Sequence, residues 1–258
     1  MWQAQEIKQS LKSKIFGRQI HTFDEVGSTQ DIAHTLASCG GIEGTLVIAE
    51  TQTHGMGTSG KSWVSPPDGL WFSLILTPTL ISLNQAPGLT ILIGHSVARA
   101  IREKTNLPVL IKWPNDLYLN GKKVAGILSE SSCSEVAVKY IVVGIGINVN
   151  VDSTLLPVGA TSLKDELGKE LSRLELLTKI LQAVEEDYLK FKVEHNLQLF
   201  LKEINELSLV VGKKVTVRLP DKLIQGKATS IDEQGNLMVE LKDGETEIIT
   251  AGEVSLRE

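Results

Sequence analysis

Apolar residues recur along this chain in short blocks, and the spacing inside each block predicts an element. Residues 45–50 and 70–76 are near-continuous apolar runs of strand length, as are 107–112 and 140–146. Such runs suit strands buried on both faces. Residues 84–105 instead place Leu89, Leu92, Ile93, Val97, Ala100 and Ile101 at helical spacing, with small Gly94 and Ser96 allowing close packing. Amphipathic helices are predicted over 171–191 and 196–206. Near the start, residues 1–20 predict a short helix leading into a strand at 19–23. A helix follows over 27–37, capped by Ser28 or Thr29 and carrying Asp31 in its first turn. Residues 117–119 and 122–128 flank Asn120-Gly121, a strong hairpin signal. After Leu207 the texture changes. Short alternating stretches at 215–219 and 237–241 are separated by Asp232-Glu233-Gln234-Gly235 and Lys242-Asp243-Gly244. That pattern predicts a small all-β module over 210–257, and divides the chain into 1–207 and 208–258.

Candidate chemistry clusters at the ends of these blocks. Lys112-Trp113-Pro114-Asn115-Asp116 closes the 107–112 strand, where Pro114 stops the ladder. A cation, an amide and a carboxylate are thereby brought to one edge. Trp113 is either core or an aromatic face beside them. Lys123 lies two residues from Ala125 and is expected on the same strand face, pointing into the same cleft as Lys112. Gly55-Met56-Gly57-Thr58-Ser59-Gly60-Lys61-Ser62 matches the phosphate-loop pattern literally. Its context argues against that function. A phosphate loop leaves a strand directly and opens a helix. Here Pro66, Pro67 and Gly69 follow within eight residues of Lys61. The glycines still permit positive φ and close approach to a ligand.

Several segments, in order, resemble biotin–protein ligases. They are Gly27-Ser28-Thr29-Gln30; Gln52-Thr53-His54-Gly55 with Gly57, Gly60, Trp63 and Ser65-Pro66; Lys112 through Leu128; Gly144-Ile145-Gly146-Ile147-Asn148; Ala160-Thr161-Ser162-Leu163; and Gly252-Glu253-Val254-Ser255-Leu256-Arg257. The resemblance covers residues 20–258 and implies an α+β fold. Its mixed β-sheet would be flanked by helices, akin to class II aminoacyl-tRNA synthetases, with a small C-terminal SH3-like β-barrel. It implies that biotin is adenylated with ATP and passed to a lysine of a biotin carboxyl carrier protein, or of a carrier domain in a biotin-dependent carboxylase. Mg²⁺ is expected with the ATP phosphates; no metal ligands are singled out. Lys123, Lys112 and Asp116 are the expected catalytic residues. Biotin would be met by Ser28, Thr29, Gln30, Gln52, Thr53, Gly55, Gly57, Thr58 and Ser59, and also by Lys123, Gly126 and Gly144. The nucleotide would be met by Lys61, Asn115, Asn148 and Arg257, and by Trp63 unless that ring is core.

Such ligases usually carry several arginines in the glycine-rich loop. This chain has Met56, Thr58, Ser59 and Lys61 there, and only Lys61 keeps a charge. A leaky adenylate site is therefore expected. Two other readings stay open: a protein that binds biotin or its adenylate without ligating, and a relative acting on another carboxylate such as lipoate. With only some 20 residues ahead of the catalytic core, a DNA-binding N-terminal domain is not expected.

Bulk properties narrow this little further. Apolar residues make up 42% of 258, enough for a sizeable core. A net charge of −5 disfavours a nucleic-acid groove. No apolar window reaches membrane-spanning length. Cys39 and Cys133 lack metal spacing, which fits reduced thiols in the cytoplasm. A homodimer is left open.

Overall fold

The computed structural model describes residues 1–78, 85–133 and 138–257. Two sheets organise the chain. The larger has seven strands: β1 (Ile20–Val26), β2 (Leu46–Gln52), β3 (Leu70–Leu76), β4 (Leu110–Lys112), β5 (Asp116–Leu119), β6 (Lys122–Cys133) and β7 (Val138–Ile147). Their spatial order is β1-β2-β3-β7-β6-β5-β4. The β1–β2 pair is parallel and the other pairs are antiparallel, so the sheet is mixed.

The sheet is covered on both faces, which explains the apolar runs. Helix α2 (Thr29–Ser38) packs Ala33 and Ala37 against Val47, Ile75 and Val142. Helices α3 (Ala86–Thr105) and α5 (Arg173–Glu194) lie on the opposite face, over Leu46, Ile48, Leu74, Val143 and Ile145. Two short helices, α1 (Ala4–Ser10) and α4 (Leu163–Leu167), complete the periphery. The start of the predicted 84–105 helix, Asn84, lies outside the described residues.

Strand β3 matches its predicted bounds. The Asn120-Gly121 turn also forms as read, with φ of 50° and 79°. Helix α6 (Leu201–Glu206) is shorter than the predicted 196–206 helix. The first residues of that stretch are held elsewhere: Leu197 N–H donates to Glu233 O, and Gln198 N–H to the Asn196 side chain. The Glu185 carboxylate accepts from the backbone N–H groups of Lys14, Ile15 and Phe16 at 2.6, 2.6 and 2.7 Å. This anchors the loop before β1 and satisfies donors that would otherwise be costly to bury.

The second sheet contains β8 (Lys214–Arg218), β9 (Leu223–Ile231), β10 (Leu237–Glu240), β11 (Thr246–Ile249) and β12 (Glu253–Leu256). It is antiparallel, in the order β11-β10-β9-β8-β12. It is tightly joined to the rest. Trp113 is 2% exposed and its Nε1–H donates to Gly235 O at 2.9 Å. Of the two readings of Trp113, core is the one found; its indole is not an aromatic face beside Lys112. Ile111 N–H donates to Leu207 O, and Leu209 N–H to Ile111 O. The core is continuous across this junction, taking in Val215, Val217 and Leu237.

A buried charged cluster ties α3, α5 and α6 together. Asp187 accepts from Ser96 Oγ and Arg99 Nη2 at 2.8 and 2.9 Å. His95 lies with Nδ1 3.7 Å from Asp187 and Nε2 3.0 Å from Glu203. Burial pushes the Asp187 carboxyl up, but the facing His95 ring, the Ser96 hydrogen bond and the Arg99 charge together hold it below the usual range. A depressed folded-state pKa means that its stabilisation is complete above the unfolded value, about 4, and fades as pH falls through the lower folded value. Acid unfolding should therefore steepen below about pH 4, and Asp187→Asn should flatten that part of the stability–pH curve, measured by urea unfolding at successive pH values.

Candidate functional site

The site lies on the α2 face of the large sheet and opens from three glycines. Gly126, Gly144 and Gly146 lie on neighbouring β6 and β7, with Gly126 paired to Gly146 and Leu128 to Gly144. The space above them is already used. A Cβ at Gly146 would fall 2.6 Å from Trp63 Nε1, and one at Gly126 would fall 3.0 Å from the same indole. A Cβ at Gly144 would meet Gln30 Oε1 at 2.7 Å. The glycines thus make room for Trp63 and Gln30, which wall a cleft open to solvent.

One end of the cleft is polar and uncharged. Ser28 caps α2, its side chain accepting from Gln30 N–H at 3.2 Å. Gln52 Oε1 accepts from Thr29 N–H and Oγ1–H at 2.8 and 3.1 Å, and its Nε2 donates to Ser65 Oγ at 2.8 Å. Ser73, on β3, lies 2.9 Å from Thr29 Oγ1. The other end is charged. Lys123 Nζ is 2.6 Å from Asp116 Oδ1 and 5.1 Å from the centre of the Trp63 ring. The two side chains are 30% and 20% exposed, so the pair is shielded without being sealed from ligand.

Lys123 reaches the cleft by a route that differs from the expected one. Ala125 faces the apolar core, as does Val124. Opposite β5, Leu117 pairs with Ala125 while Tyr118 pairs with Lys123, leaving Val124 as an extra residue. This β-bulge reverses the side-chain alternation. Lys123 therefore shares a face with Gly126 and Asp116, and not with Ala125. Its backbone is gripped by the segment after Pro157: Lys123 N–H donates to Gly159 O, and Thr161 N–H to Lys123 O.

The cleft lining includes Ser28, Thr29, Gln30, Gln52, Gly57, Thr58, Trp63, Asn115, Asp116, Lys123, Gly126 and Gly144 among the residues expected from the sequence. Seven others do not line it as placed here. Thr53 Oγ1 bonds the His54 ring. Gly55 lies beneath, where a Cβ would strike Trp63 O at 2.3 Å. Ser59 (φ 57°) forms the exposed tip of the loop, which folds back as a small hairpin: Trp63 N–H donates to Gly55 O and Gly57 N–H to Lys61 O. No helix follows it, as the argument against a phosphate loop required. Asn148 is buried, its Nδ2 donating to Thr161 O, so it braces the Lys123 strand. Lys112 lies across from Asp116 on the same face, one strand farther out, with Nζ 3.3 Å from Tyr118 Oη. Arg257 lies on the barrel and donates to Gln225 Oε1 at 2.8 Å.

Lys61 also stands apart from the lining. Its ammonium pairs with Glu253 on β12. That hydrogen bond, with the charges of Lys61, Arg218 and Lys112, holds the Glu253 carboxyl below its usual range. Ser73, Phe72 and Ile127 line the cleft without having been singled out. Ser73 carried a readable signal, as the lone polar residue in the run Leu70–Leu76. Among the described residues no cluster of three His, Cys, Asp or Glu side chains could hold a metal alone. The cleft carboxylate, Asp116, is paired with Lys123, so these residues do not by themselves fit a resident metal.

Residues 26–148 match the family model described as the biotin/lipoate A/B protein ligase family, and residues 210–257 match the biotin protein ligase C-terminal domain. The bifunctional ligase/repressor BirA of Bacillus subtilis is 36% identical over 251 residues, covering 95% of this chain and 77% of that protein. The biotin–[acetyl-CoA-carboxylase] ligase of Mycobacterium tuberculosis is 30% identical, covering 96% of this chain and 94% of its own length. The chain belongs to the biotin/lipoate A/B protein ligase family. Its fold agrees: the Aquifex aeolicus biotin protein ligase solved with biotin and ATP superposes with a TM-score of 0.79 at 36% identity, covering 93% of this chain and 99% of that one. The mixed sheet with flanking helices is thus a biotin protein ligase fold, and the antiparallel sheet is its SH3-like C-terminal part. Among the described residues no helix of this family member is long and apolar enough to cross a membrane.

The packing of Trp63 against the glycine floor has a measurable consequence. Gly146→Ala should displace the indole and weaken biotin binding by about tenfold, since overpacking typically costs about 1–3 kcal/mol. Titration calorimetry reads the affinity, and tryptophan fluorescence reads the displacement.

Proposed function

We propose that the chain is an ATP-dependent biotin–protein ligase whose reaction is assembled around Lys123. The observation that carries this is the two-ended cleft: uncharged hydrogen-bonding groups at Thr29, Gln52 and Ser73, and an ammonium at the opposite end, on a floor of glycines. A ureido ring suits the first end and a carboxylate the second. In the first step a biotin carboxylate oxygen attacks the α-phosphorus of ATP, forming biotinyl-5′-AMP and releasing pyrophosphate. Two anions must meet, and the Lys123 ammonium offsets their repulsion. Asp116 holds that ammonium at the mouth until an anionic ligand competes for it. In the second step a neutral lysine amine of the carrier attacks the acyl carbon and AMP leaves. Mg²⁺, when bound, comes with the phosphates of ATP and screens their charge; no step is assigned to it.

The name of the Mycobacterium tuberculosis relative supports a biotin carrier of a carboxylase as acceptor. Exposed free Cys39 and Cys133 support a reducing compartment such as the cytoplasm. The net charge of −5 supports a protein acceptor over nucleic acid. We assign 1–207 to the catalytic unit and 208–258 to the barrel. Lys112, Lys61 and Arg257, which do not line the cleft in this structure, are proposed to meet the nucleotide phosphates when it binds. Asn115, whose Nδ2 donates to Ile127 O, is proposed to orient the ribose.

Biotin-dependent exchange of pyrophosphate into ATP tests the first step, and labelling of a carrier domain tests the second. Exchange with a different acid alone overturns the biotin assignment; biotin binding without exchange overturns the enzyme. Lys123→Ala should lower kcat/KM for exchange by about a hundredfold or more, one charge contact of roughly 2–4 kcal/mol in the transition state. A loss below about tenfold removes Lys123 from the chemistry.

The loop supports a second feature. Thr58 lines the cleft as a neutral residue, while Lys61 is engaged by Glu253. Biotinyl-5′-AMP is therefore proposed to escape readily. Thr58→Arg should slow its release by up to about a hundredfold if a charge-assisted phosphate contact forms. Rapid dilution measures the release rate, and biotin incorporation into a non-substrate protein should fall in parallel.

A further inference from the structure

Glu130 plays no part in the chemistry above, yet it ends a chain of hydrogen bonds that begins in the cleft. It lies on β6, four residues beyond Gly126, with its carboxylate at the side of α2. Gln30 Nε2 donates to Glu130 Oε2 at 2.9 Å and to Val142 O at 3.2 Å. His34 supports the carboxylate from the next turn of α2, with Nε2 3.3 Å from the same oxygen. Both partners of Gln30 Nε2 are acceptors. The inverted amide would set Oε1 against two acceptors, so its orientation is fixed.

The consequence propagates by counting hydrogens. Gln30 Oε1 can only accept, so Ser73 Oγ, 3.1 Å away, must donate to it. Ser73 has a single hydroxyl hydrogen. The 2.9 Å contact between Ser73 Oγ and Thr29 Oγ1 then requires Thr29 to donate, unless its hydrogen turns to Gln52 Oε1. Either way the Thr29 hydrogen is spent inside the protein. What Thr29 Oγ1 offers to the cleft is lone pairs. Gln30 is 2% exposed and Ser73 is fully buried, so water does not readily scramble this order.

We propose that Glu130 is a positioning residue for ligand selection. Acting through Gln30, it keeps the Ser73 hydroxyl hydrogen turned to Gln30 Oε1 and away from Thr29 Oγ1, leaving the Thr29 lone pairs for an N–H of the bound ligand. The inference rests on the biotin reading, since a ureido group supplies such an N–H. A ligand offering only an acceptor there would face lone pairs.

Three variants test it, read by direct binding of biotin and of biotins methylated on either ureido nitrogen. Glu130→Gln retains an acceptor and should bind biotin within about threefold of the parent. Glu130→Lys replaces the acceptor with a donor. It should weaken biotin by about tenfold or more, leave the methylated biotin that lacks the Thr29-facing N–H little changed, and leave the KM for ATP unaltered. Gln30→Met, close in shape, breaks the chain without adding charge; it should lower the same preference even if the lysine variant does not fold. Unaltered biotin affinity in Glu130→Lys and Gln30→Met overturns the proposal. So does proportional weakening of both ligands, which would mark a collapsed pocket. If the parent chain itself fails to bind biotin, the biotin reading falls and takes this inference with it; a parent that binds while the variants show no altered preference sinks this inference alone.

Discussion

An alternating strand can present a side chain to the core or to the cleft, but not to both, and the extra residue at Val124 resolves that conflict in β6. Without it, Lys123 would share a face with Ala125 and point among apolar side chains. An isolated ammonium there would carry a prohibitive desolvation cost. With it, Val124 and Ala125 both stay in the core while Lys123 turns toward Asp116. The bulge is held from both sides. Asn148 N–H donates to Val124 O, and the 159–161 segment brackets Lys123. The charged end of the site therefore depends on one irregularity in an otherwise regular sheet.

The uncharged end depends on a second kind of order. Glycines at 126, 144 and 146 leave the sheet surface bare, and rigid groups are packed onto it. Trp63 sits edge-on to Trp71, with ring centres 6.3 Å apart. Gln52 is fixed by donors on one side and Ser65 on the other. Little has to be ordered when a ligand arrives, so less of its binding energy is lost to immobilising side chains. The same rigidity makes the site intolerant. A methyl group at Gly146 or an inverted amide at Gln30 has no low-cost accommodation nearby.

Much of this was legible before any coordinates. The run from Leu70 to Leu76 names a buried strand because both of its faces are covered, and Asn120-Gly121 names its turn because both residues sit at positive φ. The motifs located the cleft because close approach needs glycine and charge needs lysine. Other features leave no periodic trace. A bulge does not show in a period-two pattern, so the face of Lys123 could not be read from it, although its place in the cleft could. Residues 196–200 look helical until Glu233 and Asn196 take up their backbone donors. Lys112 and Arg257 carry the right charge, but their positions depend on Tyr118 and Gln225, which no local pattern links to them. Glu130 was invisible because its role runs through three other side chains.

The loop and the barrel raise the remaining question of charge. Residues 55–61 carry one cation, and in this structure it is paired with Glu253 on β12. That pairing sets the loop beside the barrel. It also means that a phosphate must compete with a carboxylate for Lys61. Both side chains are more than half exposed, so the pair itself contributes little to stability. Its effect is one of exchange: an incoming phosphate gains one ammonium contact and frees one carboxylate. Lys112 and Arg218 lie close enough to affect Glu253, so the freed carboxylate is not left uncompensated. A loop bearing several arginines would close chiefly by gripping phosphate. This loop has a partner of its own in Glu253, with which a phosphate must compete for its one ammonium.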